Sequence, residues 1–375
     1  MKIIIAPDTF KGSLTATQAA EAIAAGIHDH DPSIETLLFP VADGGEGTVS
    51  TLVSTTGGEI VSAVVHDPLG RKIEASYGIL GDGKTCVIEI AEASGLTLLE
   101  STERNPLKAS TFGTGELMLH ALNSGYRNFI IGLGGSATND GGVGMLQALG
   151  MKFINEQGTE IQSGGGELSK IRKIDDAQFD NRIPECHFVI ASDVTNPLIG
   201  PNGASAIFGP QKGATMNMVE ILDNNLSVFA DIVEKFTGHS LHNQKGAGAA
   251  GGAGGALLAF FPSEMRRGIE VVLASISFEE HFKDADLIIT GEGKTDKQTL
   301  SGKTALGIAQ VANETPVILI SGAIDKDSRS DLLSQFIELH AVVDETVSIE
   351  QSMTEAFSYL RAKTRKVIKD YLTKA

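Results

Sequence analysis

The chain has 375 residues, 42% of them hydrophobic and 21% charged, with no Trp; at about 150 residues per domain the length points to two domains, and the composition excludes a disordered, fibrous or membrane-embedded protein. Lys and Arg total 30 against 47 Asp and Glu, a formal charge of −17 that repels a phosphate backbone and an anionic lipid surface alike and argues against nucleic-acid or membrane partners. Cys86 and Cys186 are the only cysteines, too few for a disulfide framework, and the apolar start Ile3 to Ala6 is far shorter than the ~7 to 15 residues of a signal h-region, so a cytoplasmic location is expected.

Ile3 to Ala6 reads as a first strand, and Ala16, Ala19, Ala20, Ile23 and Ile27 then share one helical stripe, with Ser13 as the expected N-cap. Leu37, Leu38, Phe39 and Val41 form a second strand, and Asp43 to Thr48 turns into a helix through Val49, Leu52 and Val53. From Glu59 to Glu92 the period changes to strands joined by turns at Asp67-Pro68 and Asp82-Gly83. Within that stretch Gly78 to Thr85 satisfies the phosphate-loop pattern letter for letter. It is followed by the strand-like Cys86 to Ile90 instead of a helix, so it reads as a hairpin.

Helical segments return at Thr114 to Leu122 and Val143 to Leu149 around a strand at Phe129 to Ile131, with another strand at Phe188 to Ile190. Val219, Leu222, Leu226, Phe229, Val233 and Phe236 make a core-facing helical stripe. The uncharged run Gly246 to Pro262 is too rich in Gly and Ala, and too short at its apolar end, to span a bilayer. Asp286 to Ile289, Pro316 to Ile320 and Leu339 to Val343 restore the alternation of strand, loop and helix. The basic stretch Lys363 to Lys369 ends a helix begun by Glu350 and Glu355. The economical architecture is α/β: a doubly wound parallel sheet from residues 1–58 plus 283–375, interrupted by a mixed α/β domain over 59–282.

In open α/β sheets ligands bind beyond the carboxyl ends of the strands. Three loops there combine carboxylates with Gly or Lys: Asp8 to Ser13 with Lys11, Asp43 to Thr48 with Glu46, and Gly291 to Asp296 with Glu292 and Gly293. Some of these carboxylates read equally well as caps and turn formers, and a divalent cation would reconcile the rest. The segment Gly132 to Ala137 follows a strand and precedes a helix capped by Asn139 or Asp140. Its Gly amides, with Ser136, Thr138 and Asn139, read either as an anion cradle or as close helix-to-strand packing. Asp193 to Leu198, with Asn196, and Phe208 to Gly213, with Lys212, are further loops that ordinary turns would also explain.

Phosphoryl transfer to an alcohol needs a carboxylate at the hydroxyl, cations on the phosphates and usually Mg²⁺, all of which these loops offer. Gly246 to Gly251 fits a dinucleotide pattern with no strand before it, and Gly293-Lys294-Thr295 and Gly302-Lys303-Thr304 lack the earlier Gly of a phosphate loop. The nine His show no metal-ligand spacing, and there is no Gly-x-Ser-x-Gly elbow. A nicotinamide-dependent hydroxy-acid oxidoreductase and a non-catalytic sugar-acid sensor are the rival readings.

The motifs Ala6-Pro7-Asp8-Thr9-Phe10-Lys11-Gly12-Ser13-Leu14, Ala42 to Thr48, Gly134 to Gly142, Phe208 to Ala214 and Thr290 to Gly293 together make the chain resemble the type I glycerate kinase family. That resemblance implies a flavodoxin-like domain interrupted by a restriction-enzyme-like domain, and ATP-dependent phosphorylation of D-glycerate with Mg²⁺ in a cleft between domains. The 2-hydroxyl is the implied acceptor and the 3-hydroxyl the alternative. On this reading Asp193 accepts the proton, and Lys11 or Lys212 meets the glycerate carboxylate or a phosphate. Gly134, Gly135, Ser136, Thr138 and Asn139, with Ser13, Gly291 and Gly293, hold the nucleotide. Asp43, Glu46, Glu292 and Asp296 hold the metal, and Asp8 and Asn196 touch substrate. Thr9 stands where the family leads one to expect Ser, and Ser192 where it leads one to expect Cys. A homo-oligomer is compatible with the sequence and not derivable from it.

Overall fold

The run Ile3-Ile4-Ile5 is β-branched and fully buried, which suits a strand covered on both faces. In the computed structural model, which describes residues 1–374 apart from 43, 46, 298, 300–303 and the side chain of 279, it forms β1 (Lys2–Pro7). The strands that follow are β2 (Glu35–Leu38), β3 (Glu59–His66), β4 (Lys72–Ile79), β5 (Thr85–Glu89), β6 (Asn128–Gly132), β7 (Lys152–Ile154), β8 (Lys173–Asp175), β9 (His187–Ala191) and β10 (Ser263–Arg266). The last are β11 (Leu287–Gly291), β12 (Lys294–Thr295), β13 (Val317–Ser321), β14 (Ala323–Ile324) and β15 (Glu338–Ala341). The chain divides into two compact units: Met1–Asp43 with Ser54–Thr56 and Ile269–Ala375, and Gly44–Val53 with Gly57–Gly268.

The first unit carries a five-stranded sheet in the order β15-β13-β11-β1-β2, parallel throughout. Numbered within the unit, that is the flavodoxin-like order, whose direction reverses between β1 and β11. Register sets Pro7 opposite Gly291, so the loops that leave these two strands start side by side. One face is covered by helices Ala16–His28 and Ala356–Lys374, whose crossing is close at Gly26: a Cβ there would lie 2.4 Å from the Arg361 carbonyl oxygen.

Two local expectations are corrected in this unit. The first helix is capped by Thr15, which forms a capping box with Gln18; Ser13 instead donates its hydroxyl to the Phe10 carbonyl at 2.9 Å. Thr15 has its acid-amide partner three residues on, which Ser13 lacks. The C-terminal helix is two helices, Ile349–Thr354 and Ala356–Lys374, the first opened by a Ser348–Gln351 capping box and the break falling at Glu355.

The second unit carries a six-stranded sheet in the order β10-β9-β6-β5-β4-β3. It is parallel from β5 to β10 and antiparallel among β3, β4 and β5. Gly78 to Thr85 is a hairpin, with Ile79 opposite Cys86. Phe129 and Phe188 stack 4.8 Å apart at the core. Helix Met216–Thr237 buries Leu222, Leu226, Phe229 and Val233, while Phe236, expected in the stripe, is 42% exposed in the last turn. Among the described residues no helix is long and apolar enough to cross a membrane.

Candidate active site

The first unit places its polar loops where an open parallel sheet binds ligands, at the strand pair where the order reverses. The Asp8 amide donates to the Gly291 carbonyl at 2.8 Å, locking the two loops together. Asp8 is half-buried. One carboxylate oxygen accepts the Thr9 amide at 2.6 Å, and the other accepts the Thr304 hydroxyl at 2.6 Å. Glu292, 9% exposed, accepts the Thr295 and Thr299 hydroxyls at 2.8 and 2.7 Å on one oxygen. These hydroxyls, with the Thr9 amide, fix both carboxylates in orientation.

Asp8, Lys11, Ser13, Glu292 and Gly293 line one cavity of about 430 Å³. Gly293 lets the two loops approach: a Cβ on it would lie 3.1 Å from the Lys11 amide nitrogen. Gly291 is required by the sheet, since a Cβ would fall 2.1 Å from the Ile320 carbonyl oxygen. Asp296 is not part of the cavity lining; its carboxylate stands 3.7 Å from the Lys294 ammonium. Asp43 and Glu46 lie outside the described residues. Among the described residues there is no group of three or more His, Cys, Asp or Glu placed to hold a metal ion.

In the second unit, the Gly-rich loop after β6 has most of its determinants inside the protein. Gly134 is needed because a Cβ would lie 2.6 Å from the Gly45 Cα, and Gly135 has a positive φ of 75°. The Ala137 amide donates to the Ser94 carbonyl and the Gly141 amide to that of Gly251. The helix that follows, Val143–Ala148, begins at Gly142, so neither Asn139 nor Asp140 is its N-cap. The Asp140 carboxylate nonetheless accepts the Gly142 and Gly144 amides and both donors of Thr111. Burial outweighs those donors and pushes its carboxyl above the usual range. Small residues here thus serve backbone approach, and an internal carboxylate holds the first turn of the helix.

Lys212 is 2% exposed, and its ammonium donates to the Ser136 hydroxyl at 2.9 Å and the Thr138 carbonyl at 2.7 Å. Burial lowers its pKa to about 7, with Asp140 opposing the shift. Thr138 and Asn139 are fully buried; Asn139 donates to the Ser205 hydroxyl at 3.0 Å, while Thr138 Oγ1 and Asn139 Oδ1 have no hydrogen-bond partner among the described residues. Lys212, Ser136 and Thr138 are therefore one internal cluster. Asp193 stands apart, exposed just beyond β9, with one oxygen accepting the Gly268 amide at 3.2 Å. The Asn196 side chain closes its own loop by donating to the Asn202 carbonyl at 2.9 Å.

Sequence reasoning overlooked several supporting residues. Thr295, Thr299 and Thr304 orient the two carboxylates of the first unit; Thr295 and Thr304 belong to the two Gly-Lys-Thr segments, and Thr299 stands between them. Glu89, 4% exposed, ends β5 and accepts the Val49 and Gly47 amides at 2.6 and 3.2 Å, anchoring the start of helix Thr48–Thr56. It reads in sequence as one more polar residue in a strand. The apolar side of the cavity, from Val342 to Leu360, reads as core.

The whole chain compares closely with known proteins. The glycerate kinase family model matches residues 3–372. The chain is 48% identical to the glycerate kinase of Bacillus subtilis (strain 168), over 98% of this chain and 97% of that protein. It is 50% identical to the glycerate 2-kinase of Escherichia coli (strain K12), over 87% of this chain and 86% of that protein. A crystal structure of a Salmonella typhimurium LT2 protein assigned to glycerate kinase 2 superposes with a TM-score of 0.89 at 43% identity, covering 100% of this chain and 99% of that one. Motif order, flavodoxin-like strand order and these matches agree, and the chain belongs to the glycerate kinase family.

Proposed function

We propose that this chain transfers the γ-phosphoryl group of ATP to the 2-hydroxyl of D-glycerate, giving 2-phosphoglycerate and ADP. The observation that supports it most is the placement of Asp8 and Glu292 on adjoining loops at the sheet's reversal point, lining one cavity with Lys11 and Ser13. Such a site combines oriented carboxylates with a flexible cation, which phosphoryl transfer uses and hydride transfer does not need. The matched relatives named as glycerate kinases supply the acceptor.

In this reading the Asp193 carboxylate takes the proton of the acceptor hydroxyl as its oxygen bonds to the γ-phosphorus and the bond to the β–γ bridging oxygen breaks. Lys11, exposed and on a loop, meets phosphate or glycerate carboxylate. Lys212 acts through Ser136 and Thr138, as a positioning residue, because its buried ammonium donates to both. The oxygen-only donor set of Asp8 and Glu292 fits a hard cation that binds through one or two carboxylates together with substrate phosphates. Those two residues would hold Mg²⁺, which neutralises phosphate charge when bound. The division into domains 1–58 plus 283–375 and 59–282, and a cytoplasmic location, belong to the same proposal.

The test is incubation with MgATP and D-glycerate, with the product read by proton-coupled ³¹P NMR. A phosphate on the secondary carbon couples to one proton and gives a doublet, the result expected. A triplet assigns the 3-hydroxyl instead, and intact ATP overturns the kinase reading.

A further inference from the structure

Four strands of the second unit run parallel, and their register lines up Glu89 of β5, Gly132 of β6, Ala191 of β9 and Arg266 of β10 in one row at the carboxyl edge of the sheet. Paired residues of a parallel sheet point to the same side. In this row that side is opposite the one that sends Phe129, Phe188 and Ile190 into the core. Gly44 and Gly47 lie over it. The buried Glu89 carboxylate accepts the Gly47 amide at 3.2 Å. A Cβ on Gly132 would lie 2.8 Å from the Gly44 carbonyl oxygen, and a Cβ on Gly44 would lie 3.1 Å from the Ala191 Cβ.

Glu89, Gly132 and Ala191 are thus covered, and the row ends at Arg266. One strand spacing, about 4.8 Å, separates Arg266 from Ala191, and its side chain leaves the sheet on the side where Gly44 lies. It is half-buried. Among the described residues its guanidinium has no hydrogen-bond or ion-pair partner, Glu264 on the same face included. Backbone bonds tie this strand end to that of Asp193: the Ser192 amide donates to the Arg266 carbonyl at 3.0 Å, and the Gly268 amide donates to the Asp193 carboxylate at 3.2 Å. A guanidinium and a carboxylate therefore occupy adjoining strand ends without being paired to each other, at the edge where parallel sheets take their ligands.

A half-buried guanidinium has lost part of its hydration, and its planar fork of donors matches a carboxylate with two parallel hydrogen bonds. Glycerate carries a single carboxylate, on the carbon next to its 2-hydroxyl. We propose that Arg266 binds the carboxylate of the acceptor acid and so sets its 2-hydroxyl at Asp193. The inference rests on the kinase reading and adds to it the residue that selects an acid over an uncharged polyol. It also supplies a reason for the 2-position, since the 3-hydroxyl stands one carbon farther from the anchored carboxylate. Lys11 is then left to the phosphates.

The test uses the full chain with Arg266→Gln and Arg266→Lys, circular dichroism checking that both fold. Initial rates give kcat and KM for D-glycerate, and ADP and D-glycerate are titrated calorimetrically into each protein. The expected result is a rise in KM for D-glycerate of about 30-fold in the Gln variant and about fivefold in the Lys variant, which keeps the charge and loses the fork. Both should keep kcat within about threefold, as for a contact made equally in the ground and transition states, and ADP affinity within twofold. KM for D-glycerate unchanged in the Gln variant overturns the inference. ADP affinity falling by the same factor as D-glycerate affinity also overturns it, by placing Arg266 on the phosphates. Absence of turnover in the parent chain overturns the kinase reading instead. The D-glycerate titration then decides for Arg266: weaker binding by the Gln variant than by the parent supports the carboxylate site, and equal binding, or none by the parent, overturns it.

Discussion

Asp193 and Lys212 show how differently two residues picked from one sequence behave once folded. Asp193 is exposed at a strand end, with one carboxylate oxygen accepting the Gly268 amide at 3.2 Å. Asp193→Asn keeps the shape and removes the base. We expect kcat to fall by about 10²-fold or more with ADP affinity within twofold, measured by coupled assay and calorimetry; unchanged turnover removes the proposed role. Lys212 was legible as a cation in a constrained turn, but not the direction in which its ammonium points, because that depends on a loop some 70 residues earlier in the chain. Burial holds its pKa at about 7 against the ordinary 10.5. Between those values the unfolded chain binds a proton that the folded chain lacks, so this residue makes stability climb as pH rises from about 7 towards 10.5, with its full cost present below 7. Lys212→Met abolishes that slope. The difference in urea midpoint between parent and variant should therefore change over pH 7 to 10, and a flat difference would show that the amine is solvated.

At the scale of elements, periodicity carried most of the information, and the ends of elements carried least. The stripe of the first helix follows from spacing alone, yet its cap is Thr15 and not Ser13, since capping depends on which side chain can reach the N3 amide and be answered by Gln18. Thr15→Ala should cost about 1 kcal/mol in urea unfolding. Ser13→Ala should cost less by the same measurement, because it loses one hydrogen bond to the Phe10 carbonyl. Gly26 lies mid-helix, where Ala would ordinarily help by about 1 kcal/mol. Here the added Cβ would meet the Arg361 carbonyl oxygen at 2.4 Å and the Thr364 Cβ at 2.8 Å, backbone and branched side chain that yield little. The clash dominates, and Gly26→Ala should destabilise by about 1–3 kcal/mol; a stabilised variant would mean that the two helices separate easily. The Gly-rich loop after β6 makes the same point for a functional motif. Glycine demanded by Gly45 and glycine demanded by a phosphate look identical in a sequence.

For the whole molecule, the formal charge of −17 acts at long range and is independent of the fold's details. The protein should pass unretained through a heparin column at about 50 mM salt, where counterion release most favours polyanion binding, and retention would reveal a basic patch that the net charge conceals. The alternation of short apolar runs, Gly-rich loops and helical stripes determined by itself that parallel sheets would form, because β-branched runs buried on both faces need crossover helices. The hairpin at Gly78 to Thr85 was equally determined, since a strand follows it where a phosphate loop requires a helix. So was the family, through several long motifs in order. Only the tertiary structure decided which strands are neighbours, and with that which loops meet. Asp8 and Glu292 are 284 positions apart and share a cavity because Pro7 pairs with Gly291. Ile349 and Met353 carry no signal in the sequence, yet they line the cavity of the Asp8 and Glu292 loops. Periodicity reports which face of an element is covered; it holds no record of whether the cover is protein or ligand.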